Sequence, residues 1–291
     1  MTTPAQPIFP PLNKEAVQRL IRLGLAEDFA HGPDATSVAT IDMDAVLTAQ
    51  VVPRQDGTVA GIDVVGWTMR EISPAVDVSV HAADGDRVPA GDCLATVSGP
   101  ARVILSAERT ALNLLTYASG IATATSAWTE VISDTRARVR DSRKTLPGYR
   151  DLAKYAVRCG GGVNHRMSLG DAALIKDNHV ASVGSAAEAY RRTANAFPGL
   201  PLEVEVDDLD QLTEVLELKP TLVMLDNFEV EDTRVAVARR DALSPATMLE
   251  SSGGLTLDRA RAYADTGVEF LAVGALTHSV TILDIGLDAL T

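Results

Sequence analysis

Between Arg136 and Lys176 the chain carries ten basic side chains and three acidic ones, a local charge of +7 in a 291-residue protein whose total is −13. A compact basic island in an acidic chain suits a small polyanionic ligand, whereas a solvated basic face has no need of glycines and strand ends around it. In RDSRKTLPGYR, ahead of the turn Pro147-Gly148, Arg143 can grip a carboxylate or phosphate through two N–H groups, and Lys144 adds a point charge. CGGGVNHR, residues 159–166, sets three glycines before His165 and Arg166, so the backbone itself can approach an anion. ALIKDNHV ends an apolar run in Lys176, followed by Asp177, Asn178 and His179. A lysine there is costly unless it meets an anion or a carboxylate.

Acidic residues recur at similar places. LEVEV puts Glu203 and Glu205 on one face of a strand, because side chains alternate. They are either ion partners for the lysines or contacts for hydroxyls and metal-bound water. LVMLD closes on Asp226. MLESSGG, with Ser251, Ser252, Gly253 and Gly254, and LAVGALT, with Val273, Gly274 and Ala275, each pass from an apolar run into small residues ahead of a helical segment. Backbone N–H groups in such loops can hold a phosphate.

Other common chemistries leave no trace. There is no GxSxG elbow, HExxH motif, Walker loop or dinucleotide GxGxxG. Cys93 and Cys159 are too few for a disulfide framework or a cysteine-rich zinc site, and read as free thiols in a reducing compartment. His31, His81 and His278 stand isolated. The acidic total argues against a nucleic-acid coat. The opening MTTPAQPIFPPLN lacks the basic and apolar regions of a secretory signal, and the apolar stretch Val103 to Ala127 contains Glu108 and Arg109, as a buried helix does and a membrane span does not. A soluble, cytoplasmic protein with no membrane or nucleic-acid partner is expected.

The elements that must position these residues fall into two textures. Asn13 to Glu27 has helical spacing, and short apolar runs cut by Asp56-Gly57, Asp84-Gly85 and Gly99-Pro100 predict a small sheet. DGDRVPAGDCLATV resembles the turn of a biotinyl or lipoyl carrier domain, but no lysine sits at its tip. A long helix is predicted from Ile104 to Ser133. Six short apolar runs follow, at Ala137–Asp141, Ala172–Lys176, Leu202–Val206, Leu222–Asp226, Met248–Ser251 and Phe270–Gly274. Helical segments at Val183–Ala196, Leu209–Leu218, Val230–Arg239 and Leu257–Thr266 separate the later ones, the pattern of parallel βα units. Reactive residues at the ends of at least five strands suit a β/α barrel better than an open sheet, which gathers its ligand residues at one switch point.

The segments AEDFAHGPDATS (26–37), ERTALNLL (108–115), DSRKTLPGYR (141–150), KYAVRCGGGVNHRMSLGDAALIKDNH (154–179), EVEVDD (203–208), MLDNF (224–228), LESSGGL (249–255) and VGALTHS (273–279) resemble the quinolinate phosphoribosyltransferase family over nearly the whole chain. One departure is SRK in place of the more usual TRK; Ser142 keeps the hydroxyl. The resemblance implies an α/β fold of the type II phosphoribosyltransferase kind, an N-terminal α/β sandwich followed by an incomplete parallel β/α barrel. The domains would be 1–115 and 116–278, with the tail 279–291 rejoining the first. It implies joining of quinolinate to phosphoribosyl pyrophosphate with Mg²⁺, giving nicotinate mononucleotide, pyrophosphate and CO₂. Arg109, Ser142, Arg143, Lys144, His165, Arg166 and Lys176 would hold quinolinate. Lys144, Lys176, Glu205 and Asp226 would be catalytic and, with residues 251–254 and 273–275, would hold the sugar pyrophosphate. Glu205 and Asp226 would reach the metal through water. A homodimer is implied, with Arg109 contributed to the partner's site. A transferase for nicotinate alone would need fewer cations for its single carboxylate.

Overall fold

The protein is described here by a computed structural model covering residues 10–290; the segment before Pro10, where most of the N-terminal leader reading falls, lies outside it. In chain order the elements are α1 (Lys14–Asp28), α2 (Ala35–Thr40), β1 (Val46–Pro53), β2 (Gly57–Thr58), α3 (Asp63–Ile72), β3 (Asp77–Val80), β4 (Arg87–Val88), β5 (Ala95–Pro100) and α4 (Ala101–Val131). They continue with β6 (Arg138–Arg140), α5 (Arg150–Cys159), β7 (Ala173–Ile175), α6 (Asp177–Val183), α7 (Ala186–Ala196), β8 (Leu202–Val206), α8 (Leu209–Leu216), β9 (Leu222–Asp226) and α9 (Val230–Leu243). The last are β10 (Met248–Ser252), α10 (Leu257–Ala264), β11 (Phe270–Ala272), α11 (Ala275–His278) and β12 (Ile285–Ala289). Two compact units result: one takes the described residues through Ser126 with Thr145–Gly161 and those from Leu276 on; the other takes Ala127–Lys144 and Gly162–Ala275.

The first unit holds an antiparallel sheet in the order β12-β1-β5-β3. The tail closes it, with Val51 opposite Leu287 and Pro53 opposite Ile285. Helix α4 is apolar on two sides and so serves two cores. Ile104, Ala107, Ala111, Leu112 and Leu115 pack with Val51, Val97 and Met69 on the sheet side. Leu114, Ala118, Ile121 and Ala122 pack with Val17, Leu20 and Ile21 of α1. Helix α5 joins that second core through Leu152, Ala153, Tyr155, Ala156 and Val157. Helix α4 runs unbroken through the sequence division at 115/116, and residues 145–161 pack with the first unit. An amphipathic helix advertises that it has a core to face, but not which one.

The second unit contains six parallel strands in the order β6-β11-β10-β9-β8-β7. The first strand pairs with the last, through Val139 opposite Leu271, and the others follow chain order. That cyclic order belongs to a barrel; an open doubly wound sheet reverses direction partway. Among the described residues β6 and β7 do not pair, so the barrel is incomplete. Beside β6 the returning chain makes one parallel bridge, in which Val163 N–H donates to Val139 O at 2.8 Å and Asp141 N–H to Val163 O at 3.2 Å. Strand β7 is shorter than its apolar run because Lys176 already caps α6: its N–H donates to His179 Nδ1 at 3.0 Å. That helix is additional to those the spacing predicts.

Gly120 tests how the tail is held. A Cβ there would collide with Thr281 O and stand 2.8 Å from the Ile282 Cα, both backbone atoms with little freedom to yield. Alanine gains about 1 kcal/mol of helix propensity over glycine, but overpacking of this kind costs about 1–3 kcal/mol. We expect Gly120→Ala to be net destabilising in urea titration; an equal or higher midpoint would contradict this packing.

Candidate active site

Cross-strand partners share a face, so the register defines the barrel interior. Leu174 lies opposite Glu203, Glu205 opposite Met224, Met224 opposite Glu250, Asp226 opposite Ser252 and Ala272 opposite Arg140. Charged side chains from four strands thus point into one space. They sort into a buried floor and a more open layer at the carboxyl ends of the strands.

The floor is an ion network. Arg140 Nη1 lies 2.6 Å from Glu250 Oε2 and 3.9 Å from Glu203 Oε2, with its guanidinium 4.9 Å from the Phe270 ring centroid. His165 Nε2 is 2.8 Å from Glu203 Oε2 and 3.9 Å from Glu250 Oε1. Burial drives both glutamates well above the ordinary carboxylate range, to about 7; Arg140 offsets this and, for Glu250, the neighbouring Glu203 adds to it. His165, assigned by the resemblance to a substrate carboxylate, is only 5% exposed and turns inward to these glutamates. Its Nδ1 accepts from the Arg166 backbone N–H at 2.7 Å, and the His165 backbone N–H donates to Asp141 Oδ1 at 2.8 Å. Its geometry is that of a residue positioning Arg166.

The upper layer carries the cations and the remaining acids. Arg166 Nη1 donates to Ala172 O at 3.0 Å, but its Nε, like Arg143 Nε, is buried without a hydrogen-bond partner among the described residues. Burial and the adjacent Arg143 charge pull the Arg166 guanidinium below its usual range. Two such groups side by side with unpaired donors suit an incoming dianion. The turn after Arg166 is tied by Asp171, which accepts from Met167 N–H at 2.7 Å and Ser168 N–H at 2.8 Å. Lys144 N–H donates to Ser142 Oγ at 3.1 Å.

Lys176 Nζ pairs with Glu205 Oε2, so this glutamate is an ion partner for a lysine, one of its two sequence readings. Glu205, Asp207 and Asp226 also bring ligand oxygens within 4.8 Å of one another, an all-carboxylate set of the chemistry Mg²⁺ takes. Ser252 ends β10, Gly253 and Gly254 follow it, and the buried Ser251 hydroxyl has no hydrogen-bond partner among the described residues. Val273 N–H donates to Arg140 O at 2.9 Å, which fixes the start of the 273–275 loop. Arg109 lies in the first unit, exposed on α4, with Glu108 at 3.5 Å. Sequence reasoning did not single out Arg140, Asp141, Asp207, Asn227 or Glu250. Alternation in MLESS was the available signal for Glu250, which shares strand parity with Ser252.

The floor has a consequence for pH. Below the ordinary carboxyl value of 4.5, Glu250 is protonated in both folded and unfolded chains. Above it the unfolded chain releases the proton while the folded chain keeps it up to about 7. Its contribution to stability is therefore complete in acid and is lost as pH rises through that window. We expect the unfolding free energy of the wild type, relative to Glu250→Gln, to decline between these limits; a difference that stays flat would contradict the protonated floor.

The chain matches the N-terminal domain of quinolinate phosphoribosyl transferase over residues 34–119 and the C-terminal domain of the same family over residues 121–288. It is 54% identical over 277 residues to the nicotinate-nucleotide pyrophosphorylase [carboxylating] of Mycobacterium leprae, covering 94% of this chain and 97% of that protein. A probable nicotinate-nucleotide pyrophosphorylase [carboxylating] of Bacillus subtilis is 37% identical, with 95% and 94% covered. The structure of the nicotinate-nucleotide pyrophosphorylase from Francisella tularensis superposes with a TM-score of 0.90 at 37% identity, over 99% of this chain and all of that one. With both domain families matched in order and relatives aligned nearly end to end, the chain belongs to the quinolinate phosphoribosyl transferase family.

Proposed function

We propose that this chain transfers the phosphoribosyl group of phosphoribosyl pyrophosphate to the ring nitrogen of quinolinate, releasing pyrophosphate and CO₂ and forming nicotinate mononucleotide for NAD synthesis. The observation that carries this reading is the pair of guanidiniums, Arg143 and Arg166, whose buried Nε donors lack partners among the described residues, at the same strand ends as the carboxylates of Glu205 and Asp226. One part of the site awaits a dianion, and the other offers acceptors to a polyhydroxylated, metal-associated partner.

The ring nitrogen attacks C1 of the ribose as the bond to pyrophosphate breaks, and the leaving oxygen takes the electron pair. Arg143, Arg166 and Lys144 hold the two carboxylates, with Ser142 bracing the turn, so the nitrogen is aimed at that carbon. Glu205 and Asp226 face the ribose, where positive charge develops, and stabilise it by position. Lys176 balances Glu205 and faces the departing pyrophosphate. The backbone of residues 251–254 and 273–275 holds the 5′-phosphate. Glu205, Asp207 and Asp226 would hold Mg²⁺, directly or through water, and the ion supplies charge neutralisation for the pyrophosphate. When the 2-carboxylate leaves as CO₂, its electron pair remains on the ring carbon beside the cationic nitrogen and takes a proton from water. No covalent enzyme intermediate is required.

We further propose a homodimer in which Arg109 completes the quinolinate site of the partner, and a cytoplasmic setting. Support for the latter is that both cysteines are free. No helix among the described residues is long and apolar enough to cross a membrane.

Quinolinate-dependent CO₂ release tests the reaction. It should require phosphoribosyl pyrophosphate. Arg143→Ala and Arg166→Ala should each weaken quinolinate binding by about 2–4 kcal/mol while leaving phosphoribosyl pyrophosphate binding nearly intact. Wild-type protein that releases no CO₂, or variants with unchanged quinolinate affinity, would overturn the assignment. Subunit mixing tests Arg109. Arg109→Ala and Lys176→Ala should each be nearly inactive alone. In a mixed dimer one site carries both lesions and the other carries neither, so up to half of the wild-type activity should return. No recovery despite subunit exchange verified by mass spectrometry would rule out the shared site.

A further inference from the structure

The end of β9 and the glycine loop after β10 meet at a residue for which the reaction above has no use. Asn227 has a φ of 56°, in the left-handed region that asparagine tolerates better than most residues with a side chain. Lys219 is the other described non-glycine residue with a positive φ. In this conformation the Asn227 backbone N–H donates to Ser252 O at 2.9 Å, while its side-chain Nδ2 donates to Asp226 Oδ2 at 2.7 Å. The opposite end of the amide abuts Gly253: a Cβ on that glycine would collide with Asn227 Oδ1 and stand 2.6 Å from the Asn227 N. Gly253 itself has a φ of 94°. One residue therefore touches a carboxylate of the three-acid set, the last residue of β10 and the loop offered to the phosphate.

We propose that Asn227 is a positioning residue that couples the two halves of the sugar-phosphate site, so that occupation of the carboxylate set by a divalent cation and occupation of the glycine loop by a phosphate each strengthen the other. The coupling follows from the contacts. Asp226 can turn toward a cation only with the amide that holds its Oδ2, and that amide lies against Gly253. A phosphate that orders the glycine loop therefore orders Asp226, and by linkage the effect is reciprocal. The inference rests on the phosphoribosyl reading of the site, but it concerns two ligands that can be measured without turnover.

The test uses Mn²⁺ as the cation probe, followed by electron spin resonance, and ribose 5-phosphate as the phosphate probe, followed by calorimetry on the full-length protein. In the wild type each should tighten the other roughly five- to tenfold. Asn227→Gly keeps the backbone conformation and deletes the amide. It should abolish this mutual effect, raise the KM for phosphoribosyl pyrophosphate and lower kcat, yet leave quinolinate affinity within about twofold, as a general folding defect would not. If Asn227→Gly does not fold, Asn227→Asp carries the same test, because it accepts the same backbone and removes the donor to Asp226. Absence of coupling in the wild type, or equal coupling in wild type and variant, would overturn the proposal. Failure of the phosphoribosyl reading shows up separately, as wild-type protein that releases no CO₂ from quinolinate.

Discussion

The structure depends on how four polar groups, the largely buried Arg140 and the buried Glu250, Glu203 and His165, are kept together beneath the open end of the barrel. Carboxylates that are almost wholly withdrawn from solvent are tolerable only if they are paired or keep a proton. Here both happen: the arginine and the imidazole meet them, and burial raises their proton affinity. The floor thereby settles its own charge. Arg166, one layer up, adds only to the Coulombic field on Glu203, and its Nε, like that of Arg143, has no hydrogen-bond partner among the described residues. His165 links the layers, since one ring nitrogen faces Glu203 and the other fixes the backbone of Arg166.

The fold provides the place for this arrangement through strand order rather than strand number. Because β6 pairs with β11, the first and last strands of the barrel stand together, and the carboxyl ends of all six strands point the same way. Arg140 from the first strand can then reach Glu250 from the fifth. The chain that returns past Val163 adds its own hydrogen bonds to β6 and delivers His165 and Arg166 beside it. Asn227 performs a similar service at β9, where a left-handed backbone brings the Asp226 carboxylate and a glycine loop onto one amide.

Much of this was legible in the residues. The six apolar runs fall on the six strands, and the basic island contains the two guanidiniums whose Nε atoms have no hydrogen-bond partner among the described residues. What could not be read depended on three-dimensional partnership. Helix α5 has an obvious apolar face, but its assignment to the core of α1 and α4 follows from contacts far apart in sequence. His165 sits in a motif that suggests a ligand, and only the proximity of two buried glutamates shows why its ring turns away. Glu250 lay hidden inside a glycine-loop motif whose later residues drew attention to a phosphate. Asn227 was invisible because its importance lies in a backbone angle and in what a neighbouring glycine lacks.

The central claim is that the floor balances itself, leaving the upper cations to the substrate. Quinolinate binding to folded Glu250→Gln and Arg166→Gln proteins, measured side by side by calorimetry below about pH 7, where the floor holds its proton, tests it most directly. The account predicts that Glu250→Gln binds within about threefold of the wild type while Arg166→Gln loses at least about tenfold, some 1.4 kcal/mol. The contradicting result is a collapse of quinolinate affinity in Glu250→Gln with Arg166→Gln little changed, for the floor would then be part of the binding site and not its foundation.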